Sequence, residues 1–509
     1  MALLDLERGR AQTVWNKLWR QKVDWQDGTV DIPADNDDYP WSDPVVASHH
    51  SYAFVDVRVL VETLALSDYG NPSEPTYLVF RTEYLTLLEA LISSRLSKVH
   101  NLVITGQPGI GKSFFLLFLL VFRLERGLPT AFQYHSTHYF LFDDAGGTAF
   151  YATYHHQRLA PCWALTDSND EVFTPCSPLK NFACRNIMSA SPLKTERWES
   201  WLKYAMGQYI ITDLPTMQEI VAVMHVRHVL PAETLKIARK WGPSLRVVRS
   251  LAEHPERETI FLSNAQAAAV ALYKNPRLLF PSVLTSIGST LVFVRPRRRA
   301  PDCEITAAAS LFIPTQFLYG VLERECTSAP NKQALQLFFL LSKHSLTRSA
   351  TGWKHEQNVH TRLTTGSTAL TIFRGHVKEE MLPSSNLLHC TLAGLNGVFS
   401  TDSFYWPPAV TKFPGVDGVL GDGKGNLYAI QATTGMGNKR RSPVDGLRLL
   451  WTKVNAAVRH DLNWHLVLVT PDRPSARKQV ADLSVKLRRF KLGNSCKVTV
   501  WGCGLSCQW

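Results

Sequence analysis

A chain of 509 residues is more than one hydrophobic core serves, so two or three domains are expected. With 45% hydrophobic and 19% charged residues the composition is that of a soluble globular protein, and the formal charge of +12 favours polyanionic partners without bearing on fold. Nine cysteines, an odd number scattered from Cys162 onward, exclude the dense disulfide framework of a small secreted domain and point to a reducing compartment.

The amino terminus, "MALLDLERGRAQTVWNKLWRQ", reads as an amphipathic helix. Its mixed charges leave no secretory signal to recognise, so a nuclear or cytoplasmic protein is expected. An acidic, proline-containing extended stretch follows, and residues 1–75 are expected to form an accessory segment. From "TYLVF" at 76 to about 275, apolar strand-like runs alternate with helical patterns, which predicts a P-loop-type parallel sheet with helices on both faces. The run "FFLLFLLVF" at 114–122 is about half of what spans a bilayer. It is expected as a buried helix, with no membrane partner. Residues 276–334 read as a connector whose cluster Arg295 and Arg297 to Arg299 is either a short nuclear localisation signal or a solvated linker. Residues 335–509 restart with a helix, then a hairpin, a second helix and the strands "WHLVLVT" and "KVTVWG". In the tail, Cys496, Cys503 and Cys507 lack zinc-site spacing and are expected to be structural thiols.

"NLVITGQPGIGKSFFLLFLL" contains the full G-x-x-x-x-G-K-S pattern between an apolar strand and an apolar helix. Gly106, Gln107, Pro108, Gly109, Ile110 and Gly111 are expected to wrap a phosphate with main-chain N–H groups. Lys112 is expected to reach the β and γ phosphates, and Ser113 to ligate Mg²⁺. ATP or GTP is the expected ligand. An acidic residue at a neighbouring strand end is needed beside the metal. Asp167, ending "CWALTD", is favoured over Asp143 and Asp144, ending "HYFLFDD", because it stands nearer the usual sequence distance and precedes a plausible sensor strand, "FACRNIMSAS". Arg246 follows a helix-breaking Gly-Pro and is a candidate to stabilise transition-state charge; a solvated surface Arg would look the same.

The stretch "FPGVDGVLGDGKGNLYAIQATTG" predicts a hairpin around "GDGKGN". Its polar interruptions, Asp417 in the first strand and Gln431 and Thr433 in the second, match the restriction-endonuclease arrangement of an Asp followed by a Glu or Gln, one spacer and a Lys. The i, i+2 spacing puts Gln431 and Thr433 on one face. Glu356, in "ATGWKHEQNVHTRL", lies on the apolar stripe of an upstream helix and would join Asp417 in holding Mg²⁺ or Mn²⁺. Thr433 stands where Lys is expected; Lys439, Arg440 and Arg441 either replace that charge, bind a DNA backbone, or form a solvated loop. Ser442 and Pro443 are expected to start the following helix. Asp417 as a turn residue and Gln431 as a satisfied sheet residue remain the plain alternative.

Taken together, "VITGQPGIGKSFF", "ALTDSN", "SASPLKTERWESW", "GPSLR", "GWKHEQNVH", "FPGVDGVL" and "LYAIQATTG" make the chain resemble the crinkler family of fungal and oomycete proteins, with relatives among the retrotransposon-hot-spot proteins. In that family a P-loop NTPase domain is joined to a restriction-endonuclease-like α/β domain. The resemblance implies hydrolysis of ATP or GTP through Lys112, Ser113 and Asp167 with Arg246 in the sensor position, and DNA cleavage through Glu356, Asp417 and Gln431. It also implies that the NTPase regulates or powers the nuclease. A regulatory NTPase with a non-cleaving, nucleic-acid- or protein-binding second domain is the alternative, and a homo-oligomer is left open.

Overall fold

The computed structural model describes residues 2–34, 47–69, 75–93, 96–190, 195–275, 288–296, 309–326, 359–364, 369–388, 392–408, 413–433, 442–493 and 495–505. The chain divides into two compact units, Met1–Leu322 and Glu323–Trp509. Among the described residues no helix is long and apolar enough to cross a membrane.

The first unit runs α1 (Ala2–Leu18), β1 (Gln26–Ile32), β2 (Ser48–Asp56), α2 (Arg58–Thr63), β3 (Tyr77–Val79), α3 (Thr82–Ile92), β4 (Asn101–Thr105), α4 (Lys112–Glu125), β5 (Thr130–Gln133), β6 (His138–Asp143), β7 (Gly146–Tyr151), β8 (Trp163–Asp167), α5 (Ser177–Phe182), β9 (Arg185–Ser189), α6 (Thr195–Tyr204) and β10 (Gln208–Ile211). It continues with α7 (Met217–His225), α8 (Pro231–Trp241), α9 (Leu245–Glu253), α10 (Glu258–Lys274), β11 (Phe293–Pro296), β12 (Ala309–Phe312) and α11 (Gln316–Cys326), within which the unit ends.

Seven strands form the central sheet in the order β10-β4-β9-β8-β5-β6-β7. The first five are parallel, and their near-continuous apolar sequences suit strands covered on both faces. The expected wholly parallel sheet is corrected here: β6 and β7 are antiparallel additions. The cause is the short connection from β5 to β6, which allows only a hairpin, since a parallel return needs a crossover of a dozen or more residues. Helix α4 is apolar almost all round, and Phe115 to Val121 are buried without interruption, as a helix sunk in the core requires.

The amino-terminal segment packs into this unit. Helix α1 lies on β7, where a side chain at Gly147 would collide with the Ala11 carbonyl, and Trp15 Nε1 donates to the Asp143 carbonyl (2.8 Å). Strands β1, β2 and β3 form a separate antiparallel sheet. The described part of the expected connector as far as Leu322 also belongs here: β11 and β12 pair, and Arg295 meets Asp213 at 3.2 Å. Arg297, Arg298 and Arg299 lie outside the described residues.

The second unit contributes β13 (Leu370–Arg374), β14 (Val377–Met381), β15 (Ser403–Trp406), β16 (Gly418–Asp422), β17 (Asn426–Ala432), α12 (Pro443–Lys453), β18 (Asn463–Thr470), α13 (Arg473–Leu487), β19 (Lys491–Leu492) and β20 (Cys496–Gly504). Its sheet order is β14-β13-β20-β18-β17-β16-β15, with β17, β18 and β20 parallel and the remaining neighbours antiparallel. Alternation along β17 sends Leu427 and Ala429 to one core, with Leu447, Leu450 and Trp451 of α12, and Tyr428 and Ile430 to another. Ser442 caps α12 by accepting from Val444 N (3.3 Å), with Pro443 in the first helical turn.

Candidate functional site

Strand β4 ends at Thr105 and the chain turns through the glycine-rich loop into α4. Gly106, Gly109 and Gly111 adopt φ of +144°, +74° and +98°, conformations that side chains rarely tolerate. The space is also closed to a side chain. A Cβ at Gly109 would stand 2.7 Å from Arg246 Cβ, and one at Gly111 would stand 2.9 Å from the Tyr84 hydroxyl. Gly111 is the N-cap of α4 and offers no side-chain acceptor, so the first-turn N–H groups are left for an anion.

Two residues hold the loop: Arg81, to which nothing in the sequence pointed, and Gln107, expected at the phosphate for its main chain but not for this side-chain role. Arg81, buried, donates from Nη1 to the Ile110 carbonyl (2.6 Å) and from Nε to Glu219 (3.2 Å). Glu219 is itself fixed by the capping box with Thr216 at the start of α7 and by Thr82 N (3.0 Å). Gln107 is buried, with Nε2 donating to the Ser289 carbonyl (2.7 Å) and Oε1 accepting from Val294 N (3.0 Å), which ties the loop to β11. On the other side, Arg246 N donates to the Gly109 carbonyl (3.1 Å), so α9 starts against the loop with the exposed Arg246 side chain in its first turn.

Lys112 Nζ donates to the carbonyls of Gly106 (2.9 Å) and Gln107 (2.8 Å). Desolvation, and then the positive charge of Arg246, push its ammonium down to about 7, against the pull of Asp167. Ser113 Oγ donates to Asp167 Oδ1 (3.1 Å), and Tyr69 Oη donates to Asp167 Oδ2 (2.7 Å). Burial and the adjoining carboxylate hold the Tyr69 phenol well above its ordinary value, so it keeps its proton. Asp167 pairs in register with Ser189 of β9, the strand between β8 and β4. The loop and Asp167 therefore share the carboxyl ends of the parallel strands, where ligands of α/β sheets bind.

Asp143 and Asp144 lie elsewhere. Because β6 runs antiparallel, its end pairs near Thr130, at the start of β5 and the opposite edge of the sheet. Asp143 is engaged by Arg158 Nε (2.6 Å) and Nη2, and Asp144 pairs with Arg20 on the surface.

The hairpin β16–β17 forms as the sequence predicts, with Gly418 opposite Ile430. Asp417 comes just before β16. Its N–H donates to the Ile430 carbonyl (2.7 Å), and its Oδ2 accepts from Ala432 N (2.8 Å), so the carboxylate extends the ladder by one main-chain partner. Alternation along β17 puts Gln431 on the face of Ala429, toward α12, whereas Asp417 precedes β16 and its carboxylate lies in line with the ladder. Thr433 N donates to the Val469 carbonyl (2.9 Å). Glu356, Lys439, Arg440 and Arg441 lie outside the described residues. The described helical segment 359–364 packs Val359 and Leu363 with Leu420, Tyr428 and Ile430, on the opposite face from Ala429.

The residues at the first site fit a phosphate chain and a hard divalent cation. The loop is a cradle that side chains would fill, an ammonium sits on its rim, and a hydroxyl and a carboxylate provide oxygen donors. No protein-family model matches the chain, and no curated protein matches it.

Proposed function

We propose that the chain is a nucleoside triphosphatase joined to a nuclease-like unit, of the crinkler type its motifs resemble. The observation that carries the first half is the Ser113–Asp167 hydrogen bond beside Lys112. It brings three groups a phosphate-transfer site needs to the carboxyl ends of parallel strands. In this reading the open N–H groups of α4 bind the phosphates of ATP or GTP, and Lys112 exchanges its loop carbonyls for phosphate oxygens. Ser113 and Asp167 would hold Mg²⁺, which would supply charge neutralisation. Arg246 stabilises the charge that develops on the transferred group, and the walls formed by Arg81, Gln107 and α9 keep the loop's shape constant during turnover.

For the second unit the reading is metal-dependent DNA cleavage, with Glu356, Asp417 and Gln431 around Mg²⁺ or Mn²⁺ in a nuclear or cytoplasmic protein. The crossover from β17 through α12 to the parallel β18 supports the nuclease-like class. A specific observation favours the non-cleaving alternative: Asp417 Oδ2 is spent on Ala432 N, and Thr433 replaces the expected Lys. The experiment is Mg²⁺-dependent nucleotide turnover by the wild type, Lys112→Ala and Asp167→Ala, beside plasmid cleavage by the wild type and Asp417→Ala. Turnover lost in the first two variants and cleavage lost in the third support the proposal. Turnover without cleavage under any divalent metal selects the regulatory alternative, and no turnover at all overturns the first half.

A further inference from the structure

We propose that Tyr69, from the amino-terminal segment, is a positioning residue of the nucleotide site: its hydroxyl holds the Asp167 carboxylate so that the other oxygen faces Ser113. The inference rests on the triphosphatase reading above. Tyr69 ends a short 3₁₀ turn, Ser67–Tyr69, far in sequence from every motif of that reading.

The geometry is specific. Tyr69 and Asp167 are 1% and 3% exposed, so water is excluded from their contact. Tyr69 Oη is 2.7 Å from Asp167 Oδ2 and 3.3 Å from the Ser113 carbonyl. A phenol has one proton to give, and the shorter, charged acceptor takes it. The ring is clamped, edge-on to Phe114 at 5.6 Å and tilted against Tyr134 at 5.9 Å. The Tyr134 hydroxyl in turn meets Ser67 Oγ at 3.2 Å, which fastens the turn that carries Tyr69.

The hydroxyl matters because the terminal torsion of an Asp side chain is broad and roughly two-fold. Ser113 engages one oxygen of the carboxylate, Oδ1. A second donor on Oδ2 from a clamped ring fixes the plane, and a metal-holding group must be fixed to within about half an ångström to act. A ring that served only to fill the core would need no hydroxyl, and Phe would pack as well.

The test uses the full chain with Tyr69→Phe, and with Tyr139→Phe as a control that removes a buried hydroxyl, donated to the Tyr154 carbonyl by the far strands of the same sheet, from a different core cluster. Steady-state hydrolysis gives kcat and KM separately. Binding of Mn²⁺ in the presence of ADP, followed by electron paramagnetic resonance, gives metal affinity without turnover, and thermal melting reports folding. For Tyr69→Phe the expected result is a kcat lowered about tenfold or more, as small misplacements at reacting centres produce. KM should stay within about twofold and Mn²⁺ should bind several-fold more weakly, while the control matches the wild type. If Tyr69→Phe matches a wild type that turns over nucleotide, the inference is overturned and the triphosphatase reading stands. Equal losses in both variants, tracking a lowered melting temperature, make the role one of packing and overturn it too. A wild type that neither binds Mn²⁺-ADP nor hydrolyses nucleotide overturns both readings together.

Discussion

The Gly109 carbonyl accepts the main-chain N–H of Arg246 at 3.1 Å, so the middle of the glycine-rich loop and the first turn of α9 are one hydrogen-bonded piece. Gly109 has φ of +74°, and a Cβ there would stand 2.7 Å from Arg246 Cβ and 2.8 Å from Ser244 Oγ. Gly109→Ala therefore combines a left-handed conformation, costing roughly 1–2 kcal/mol, with a collision against α9. The expected outcome is a lower midpoint in urea unfolding and a nucleotide affinity reduced tenfold or more, read by titration of a fluorescent nucleotide. Unchanged affinity would mean that α9 can retreat without disturbing the loop.

Lys112 carries a pH signature. Its ammonium lies at about 7, below the ordinary 10.5, because of desolvation and the nearby Arg246 charge. Between those two values the unfolded chain binds more protons than the folded one, so stability rises with pH across this window, and below it the penalty is fully present. Lys112→Met removes the penalty. It is expected to raise the melting temperature of the ligand-free protein near pH 6, with the gain shrinking as pH climbs through the window. A triphosphate beside the ammonium drives its pKa up, so binding near pH 8 should take up a proton, visible by calorimetry in buffers of different ionisation enthalpy.

Arg81 is the buried prop of the loop. It is 1% exposed and joins the Ile110 carbonyl to Glu219. Arg81→Met leaves Glu219 without its guanidinium and the Ile110 carbonyl without its donor. Breaking a buried pair in this way costs about 3–5 kcal/mol. Arg81→Lys should recover little of it, because a single ammonium cannot span both partners in the planar geometry of a guanidinium. Chemical denaturation of the three proteins measures this, and equal stability of Lys and Arg would show that charge alone suffices.

The loop was legible because its glycines, Lys112 and Ser113 are contiguous and their spacing encodes a local geometry. Asp167 was legible only as one of two candidates, since the choice against Asp143 depends on β6 turning back antiparallel, a property of the sheet and not of the run "HYFLFDD". Tyr69 and Arg81 were illegible for a different reason. They reach Asp167 and Ile110 across 98 and 29 residues, and each looks in sequence like an ordinary residue beside a turn or a helix start. The hairpin was readable from its alternation and turn, and Asp417 stood out as a polar interruption. What could not be read was that its carboxylate substitutes for a strand neighbour, because that depends on where β16 stops relative to Ala432.

That substitution allows the two roles of Asp417 to be separated. Its Oδ2 accepts from Ala432 N at 2.8 Å, a bond an amide oxygen can also make. Asp417→Asn keeps the acceptor and removes the charge; Asp417→Ala removes both and strands the Ala432 N–H, at a cost of about 1–3 kcal/mol. If Asp417 holds a catalytic metal, both variants lose Mg²⁺- or Mn²⁺-dependent plasmid cleavage, while only the Ala variant loses stability in chemical denaturation. The expected outcome is this split, since a neutral amide is a poor ligand for a hard divalent cation but an adequate partner for a peptide N–H. Cleavage by Asp417→Asn at the wild-type rate would assign the residue to the sheet alone and the catalytic charge to some other group.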